Sequence, residues 1–300
     1  MFWKHTLNLV DEERHQLATS KSYGVIGTSN TLLTLVNSER LLPYLQMDNE
    51  RTAARVFELV RGSTLSVILD LTERGKEVIL SQATPRAYAD VLYDCYAATT
   101  NEQGSFLKGK SRYNLRRARN QLNELGKVEC VSYAGREMSV SSFEDFRGML
   151  DASFMLAGKS ARWHRSRLRA RLDEVVRAPD SVVYELRLDG RPIAMAHCHI
   201  VDGNRLVYMT PTYDSAYQKY SPGMQLLLDI ADACVLRGGV LDLGKGAADY
   251  KSRFSVESYP LFIAVAGTGW LGRPLAYLVY LLVRAANKAR RRRHGKQANG

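Results

Sequence analysis

Residues Tyr217–Leu228 read YQKYSPGMQLLL, and the order Ser-Pro-Gly directly before an apolar run organises the reading of the second half of the chain. Ser221 predicts an N-cap, because its hydroxyl can accept a hydrogen bond from a free N–H of a first helical turn. Pro222 follows with helical φ and no donor to lose. Met224, Leu227, Leu228, Ala231, Cys234 and Val235 recur at helical spacing on one face, while Gln225, Asp229 and Asp232 hold the other. Arg237-Gly238-Gly239 marks the end. Free N–H groups at such a helix start can cradle an anion, commonly a phosphate. An ordinary capped helix after a loop has the same local signature.

Upstream of this helix the pattern predicts strands over 182–188, 192–201 and 205–212 with a turn at Asp202-Gly203; downstream it predicts one over 240–243. Earlier, KGKSRYNLRRARNQLNELG places Leu115, Ala118, Leu122 and Leu125 on one helical face and Arg112, Arg116 and Arg119 on another, with Gly126 as the stop. A strand over Val128–Ser132, a helix over Phe143–Leu156 and a second basic helix over Arg162–Val176, packing through Leu168, Leu172 and Val175, follow. Nearer the N-terminus the expected elements are a helix over Glu50–Val60, a strand over Leu65–Leu71, a turn at Glu73–Lys76, a strand over Glu77–Gln82 and a helix over Pro85–Ala98. LSVILDLTERGKEVILSQ and SVVYELRLDGRPIAMAHCHI share the layout of strand, Gly-containing turn and strand, which suggests two similar halves.

Three hundred residues, 45% hydrophobic and 24% charged, suit a globular protein with real cores and argue against disorder. Cys95, Cys130, Cys198 and Cys234 are far apart without C-x-x-C spacing, which favours core cysteines in a reducing compartment over a zinc knuckle or disulfide framework. The first fifteen residues mix Lys4, Asp11, Glu12, Glu13 and Arg14 and show no secretory pattern, so the expected location is cytoplasmic. The net charge of +11 sits in three patches without acids: Lys108–Arg119, Lys159–Arg171 and Arg284–Lys296. The rest of the chain is net acidic. Such patches bind phosphates, nucleic acid or anionic lipid, or simply form solvated faces.

Three blocks, KSRYNLRRARNQL, LRLDGRPIAMAHCHIVDGNRLVYMTPTYDSAYQKYSPGMQLLLDI and LDLGKGAADYKSRF, resemble the GNAT acyltransferase superfamily, specifically its bacterial CelD-like polysaccharide-biosynthesis branch, itself similar to the FemAB aminoacyltransferases. The resemblance covers about residues 108–256 and implies an α+β fold, a GNAT-type mixed β-sheet flanked by helices. It divides the chain into a divergent GNAT-like half over 1–107, an acyltransferase domain over 108–270 and an apolar, polybasic tail over 271–300. The superfamily's phosphate loop, Q/R-x-x-G-x-G/A, aligns its fixed positions with Gln218, Ser221 and Gly223, Ser standing where the first Gly belongs. With Met224 beside them, these residues are the expected binding site for acyl-CoA, which is the implied co-substrate. FemAB-like relatives use aminoacyl-tRNA instead, and the two basic helices suit that donor, although Tyr113 and Trp163 are the only aromatics in them for base stacking.

Acyl transfer needs a deprotonated nucleophile, a polarised carbonyl and a proton for the leaving group. The resemblance implies Tyr250 as the proton donor, a phenol being neutral at pH 7, and Lys251 as partner of a donor phosphate or an acidic acceptor. Asp214, Glu185 and Asp242 compete as general base, Asp242 also as a group that orients the acceptor. His197 and His199 share one strand face as acceptor-binding or core residues; as H-x-H without a spaced third ligand they do not predict a metal. The implied acceptor is an amine or hydroxyl of a sugar or lipid-linked precursor; a catalytically silent scaffold is the non-enzymatic alternative. Leu275–Leu282 is too short for a span of ~20 apolar residues. With the Arg-rich end after it, the tail reads either as an interfacial helix on an anionic membrane, placing the protein on the inner face of the plasma membrane, or as a helix packed on its own domain.

Overall fold

The computed structural model describes residues 27–29, 33–36, 50–82, 86–100, 105–107, 109–164, 167–170, 172–201, 204–245 and 250–298. The chain forms two compact units, residues 1–94 with 260–300 and residues 95–259, so the C-terminal segment belongs to the same unit as the N-terminal residues.

In the first unit β1 (Gly27–Ser29) pairs antiparallel with β2 (Leu33–Val36), and β2 runs parallel to β3 (Leu65–Leu71). The 262–267 stretch of β10 (Val256–Gly267) pairs antiparallel with β3. Alternation along these strands sends Ile68, Phe262, Ala264 and Ala266 to one face, against Val56, Phe57 and Val60 of α1 (Glu50–Arg61) and Ile79 of α2 (Glu73–Gln82). Leu65, Val67, Ile263 and Val265 go to the other, against Ala276, Val279 and Val283.

Two expectations are corrected here. Glu73–Gln82 is helix, not turn and strand: Thr72 accepts the Gly75 N–H through Oγ1 at 3.1 Å, an N-cap, and Ile79 one turn on is fully buried. Ala87–Ala98 is strand β4, not helix. Ala87, Ala89 and Val91 face one core while Tyr88 and Leu92 face the other, a period of two that its helix-forming alanines conceal. The first of the two supposed hairpins is therefore absent. Pro85, where the helix was expected to start, lies outside the described residues.

The second unit is a sheet in the order β4 (its last residues), β9 (Val240–Lys245), β8 (Arg205–Tyr213), β7 (Arg191–Val201), β6 (Ser181–Leu188) and β5 (Val128–Ala134). All neighbours are antiparallel except β8 and β9. One face packs on α3 (Gly109–Asn123) and α5 (Pro222–Leu236), through Leu115, Leu122, Leu226, Leu227 and Ile230 against Ala194, Ala196 and Cys198. The other packs on α4 (Val140–Leu156), whose Phe146 and Leu150 meet Val183 and Met195. Of the expected basic helix over 162–176 the structure describes three helical stretches, Ser160–His164, Arg167–Ala170 and Leu172–Val176, and residues 165–166 and 171 lie outside the described residues. Its Leu172 and Val175 are buried as expected, and the side chain of Leu168 lies outside the described residues, as does the turn at Asp202-Gly203.

Candidate active site

Strands β8 and β9 run parallel only over Arg205–Val240, Leu206–Leu241 and Val207–Asp242, although β8 continues to Tyr213 and β9 to Lys245. On its other edge β8 pairs with β7 through a register shift: Tyr208 opposes Cys198 and Thr210 opposes His197, which leaves Met209 as the extra residue of a β-bulge. The bulge turns Thr210 and Thr212 to the α4 side and Pro211 and Tyr213 to the α5 side. A cleft of about 370 Å³ opens at this place, walled by Tyr208, Thr212 and Tyr213 from β8, by the start of α5, and by Tyr250 and Arg253 beyond β9.

Gln218, Ser221, Gly223, Met224 and Tyr250, five residues singled out from sequence, all line this one cleft. The loop is built differently from the expectation. Ser221 sits at φ 53°, ψ 49°, and its side chain makes no cap hydrogen bond. Its carbonyl instead accepts the N–H groups of Met224 at 3.0 Å and Gln225 at 3.1 Å. The left-handed backbone is the conformation glycine adopts without cost, so Ser221 keeps the geometry that a glycine would have at this position. Gly223 N–H donates to no backbone carbonyl among the described residues, and a Cβ on Gly223 would stand 3.3 Å from Tyr213 Cδ1. The helix start thus presents an open donor beside a position where any side chain would crowd the approach.

Tyr250 packs edge-on to Tyr208, ring centroids 6.4 Å apart. Burial pushes the Tyr250 phenol up to about 12 and the Tyr208 phenol higher still, so both stay protonated. Arg253, exposed on the same wall, also borders a neighbouring hollow of about 570 Å³ that shares Ser221 and Met224 with the cleft and is lined by Lys110, Arg117 and Lys219 with no carboxylate. Arg253, Lys219 and Tyr208 were missed in the sequence; the signal for Arg253 was its place two residues after Lys251.

Lys251 is not on the cleft wall. Its side chain is buried and donates to the carbonyls of Gly244 at 2.8 Å and Lys245 at 3.1 Å, above the Tyr96 ring, and burial lowers its pKa. The cation exposed on the cleft wall is Arg253.

None of the three carboxylates lines the cleft. Asp214 caps the 3-10 turn Ser215–Tyr220, accepting from Ala216 N–H at 3.0 Å, and pairs with Arg191 at 3.4 Å. Asp242 is fully buried, bound to Arg205 at 2.9 Å, Gly244 N–H at 2.7 Å and the Tyr259 hydroxyl. Glu185 is equally buried, held by Arg187 and by the Tyr133 hydroxyl. Each of the three carboxylates is thus held by donors away from the cleft wall.

His197 and His199 lie on the α4 side of the sheet, with Met195, and their rings meet edge to face at 4.8 Å. Burial pushes His197 well below the usual imidazole range, and lowers His199 to about 4 against a contrary pull from Asp180 backbone. Among the described residues, no group of three His, Cys, Asp or Glu side chains is placed to hold a metal. The sign for stability follows: the unfolded chain takes up a proton near pH 6.5 that folded His199 refuses until about 4, so stability falls as pH drops through that window. We expect His199 alone to cost about 2 kcal/mol between pH 6.8 and 4.8. Urea titrations at the two pH values check it; an undiminished drop in His199→Gln would assign the loss to other groups.

Residues 109–252 match the family model described as an acetyltransferase (GNAT) domain. No curated protein matches the sequence. The fold is similar to that of the C-terminal domain of a putative lysylphosphatidylglycerol synthetase from Agrobacterium fabrum, at 14% identity over 85% of this chain and 83% of that one, TM-score 0.57. It is also similar to L-PGS from Bacillus licheniformis (11% identity, 90% and 89% covered, TM-score 0.53) and to FemX (9% identity, 93% of both chains, TM-score 0.58). At these identities the likeness is one of fold: a GNAT-like, mixed α+β architecture with helices flanking the sheet.

Proposed function

We propose that the protein is an acyltransferase that moves an acyl group from acyl-CoA to an amine or hydroxyl of a sugar or lipid-linked precursor, in the manner of the CelD-like branch that serves envelope or exopolysaccharide synthesis, on the cytoplasmic side. The observation that carries this reading is the sharing of one cleft by a phenol held protonated, an open helix N-terminus at Gly223 and the exposed Arg253. The donor's phosphates lie against Gly223 N–H, Ser221 and Arg253, and its thioester reaches Tyr250 and Tyr208. The acceptor's nitrogen or oxygen attacks the thioester carbonyl, the C–S bond breaks, and the sulfur takes the Tyr250 proton. The proton shed by the acceptor restores the phenol, so the step balances without a further reactant.

A second reading takes an aminoacyl-tRNA as donor, with an ester oxygen leaving in place of sulfur. It is favoured by the hollow beside the cleft, which gathers Lys110, Arg117, Lys219 and Arg253 without an acid. One of the similar folds, that from Agrobacterium fabrum, is named for a putative lysylphosphatidylglycerol synthetase, which supports a lipid-linked acceptor under either donor.

Calorimetric titration with CoA, on the unmodified protein and on Gly223→Val, tests the donor. The valine methyls displace the half-exposed Tyr213 ring only slightly, so the melting temperature stays near that of the unmodified protein while CoA affinity falls about tenfold to a hundredfold. Equal affinity in the folded variant removes this loop from the donor site. No CoA binding by the unmodified protein, with retention of aminoacyl-tRNA on filters, moves the assignment to the second donor.

A further inference from the structure

The final helix, α6 (Gly269–Ala298), is apolar on two opposite faces, and its own unit covers only one of them. At ~3.6 residues per turn, Gly272, Ala276, Val279, Val283 and Asn287 form a single stripe. This stripe packs on β3 and β10 through Ala276, Val279 and Val283 and is anchored by Asn287 Nδ2 donating to Val91 O at 2.6 Å. The opposite stripe stands in solvent. Trp270 is 82% exposed, Leu278 54% and Leu282 63%, with Leu271, Leu275 and Leu281 beside them.

A contiguous exposed apolar stripe of this length marks an interaction surface. The charge around it decides which kind. The helix contains no Asp or Glu; Arg273 and Arg284 run along one flank of the stripe and Lys288 closes it, all three exposed, and the sequence continues with Arg290-Arg291-Arg292-Arg293. A protein partner of mixed surface charge does not call for polar positions of one sign only, whereas an anionic lipid headgroup layer does: leucines and Trp270 enter the acyl boundary while the arginines reach to phosphates. Among the described residues no helix is long and apolar enough to cross a membrane, so the apolar stripe does not form a span.

We propose that the outward face of α6, centred on Trp270, Leu278 and Leu281, docks the protein on an anionic lipid surface, with the helix lying in the interface plane. This surface is independent of which acyl donor the cleft takes.

The test is co-sedimentation of the full chain with vesicles of phosphatidylglycerol and phosphatidylcholine, and with phosphatidylcholine alone, at low and high salt. We expect binding to the anionic vesicles at low salt, weakened by salt, with a blue shift of Trp emission that Trp270→Phe abolishes. Leu278→Asn combined with Leu281→Asn leaves the packed stripe intact, so the melting curve is retained while partitioning falls about tenfold or more. Arg284→Gln combined with Lys288→Gln lowers binding to anionic vesicles about tenfold and leaves neutral vesicles unaffected. Failure of the full chain to sediment with anionic vesicles at low salt overturns the proposal. So does equal binding by the Leu278→Asn, Leu281→Asn protein. A concentration-dependent dimer without lipid, lost in that same variant, would assign the face to a second copy of the chain instead.

Discussion

Tyr250→Phe is expected to lower turnover by about 10²- to 10⁴-fold while leaving donor affinity nearly unchanged, the range for loss of one general acid. The substitution removes an oxygen and keeps the ring that packs edge-on to Tyr208, so the cleft wall stays in place. Because burial holds the phenol near 12, the acid form persists across the neutral range, and the alkaline limb of the pH profile should not be set by this group below about pH 10. The assay is release of free CoA thiol against a panel of amino-sugars and lipid-linked sugars. Full turnover in the variant would exclude Tyr250 as the obligatory acid and leave Tyr208, the buried phenol packed edge-on to it, as the group to replace next.

Arg205→Met should destabilise the second unit by about 3 kcal/mol, the scale on which removing one partner of a buried ion pair acts. The asymmetry of the pair is the reason. Arg205 keeps a third of its side chain in solvent, whereas Asp242 has no exposed surface and would lose a charge partner that the Gly244 N–H and the Tyr259 hydroxyl do not replace. Since Asp242 stands where the pairing of β8 and β9 ends, a lost charge partner loosens the base of the cleft as well. Urea unfolding compares the variant with the unmodified protein, and Arg205→Lys should recover part of the loss. A change below about 1 kcal/mol, typical of surface pairs, would show that Asp242 is adequately held by its other donors.

The helix from Pro222 and the residues at its head were legible in the sequence because their signals are local. Ser, Pro, Gly and an apolar repeat within twelve residues specify a helix start, and everything that lines that start travels with it. The hairpin of β6 and β7 was legible for the same reason, two alternating runs joined by Asp189-Gly190. Tyr250 came from block order, and its side chain does reach the cleft.

What the tertiary structure decided is which side of a backbone each remaining group occupies and what it finds there. Glu73–Gln82 is helical because Ile79 must fill the core under α1, and Ala87–Ala98 is extended because both of its faces are covered; neither fact is contained in the segment itself. Lys251, the expected partner of a phosphate or an acidic acceptor, and Arg253, which the sequence reading passed over, are sent apart by one turn of backbone, the first to buried carbonyls and the second to the cleft. The bulge at Met209, created by pairing with a strand already in place, turns Thr212 toward the α4 side and leaves His197 and His199 there, away from the helix start. Sequence determined the helix head that can hold an anion because nearest-neighbour sterics and capping act within a few residues. Strand register, burial and the parting of β8 from β9 determined the cleft, because those depend on contacts between residues far apart in the chain.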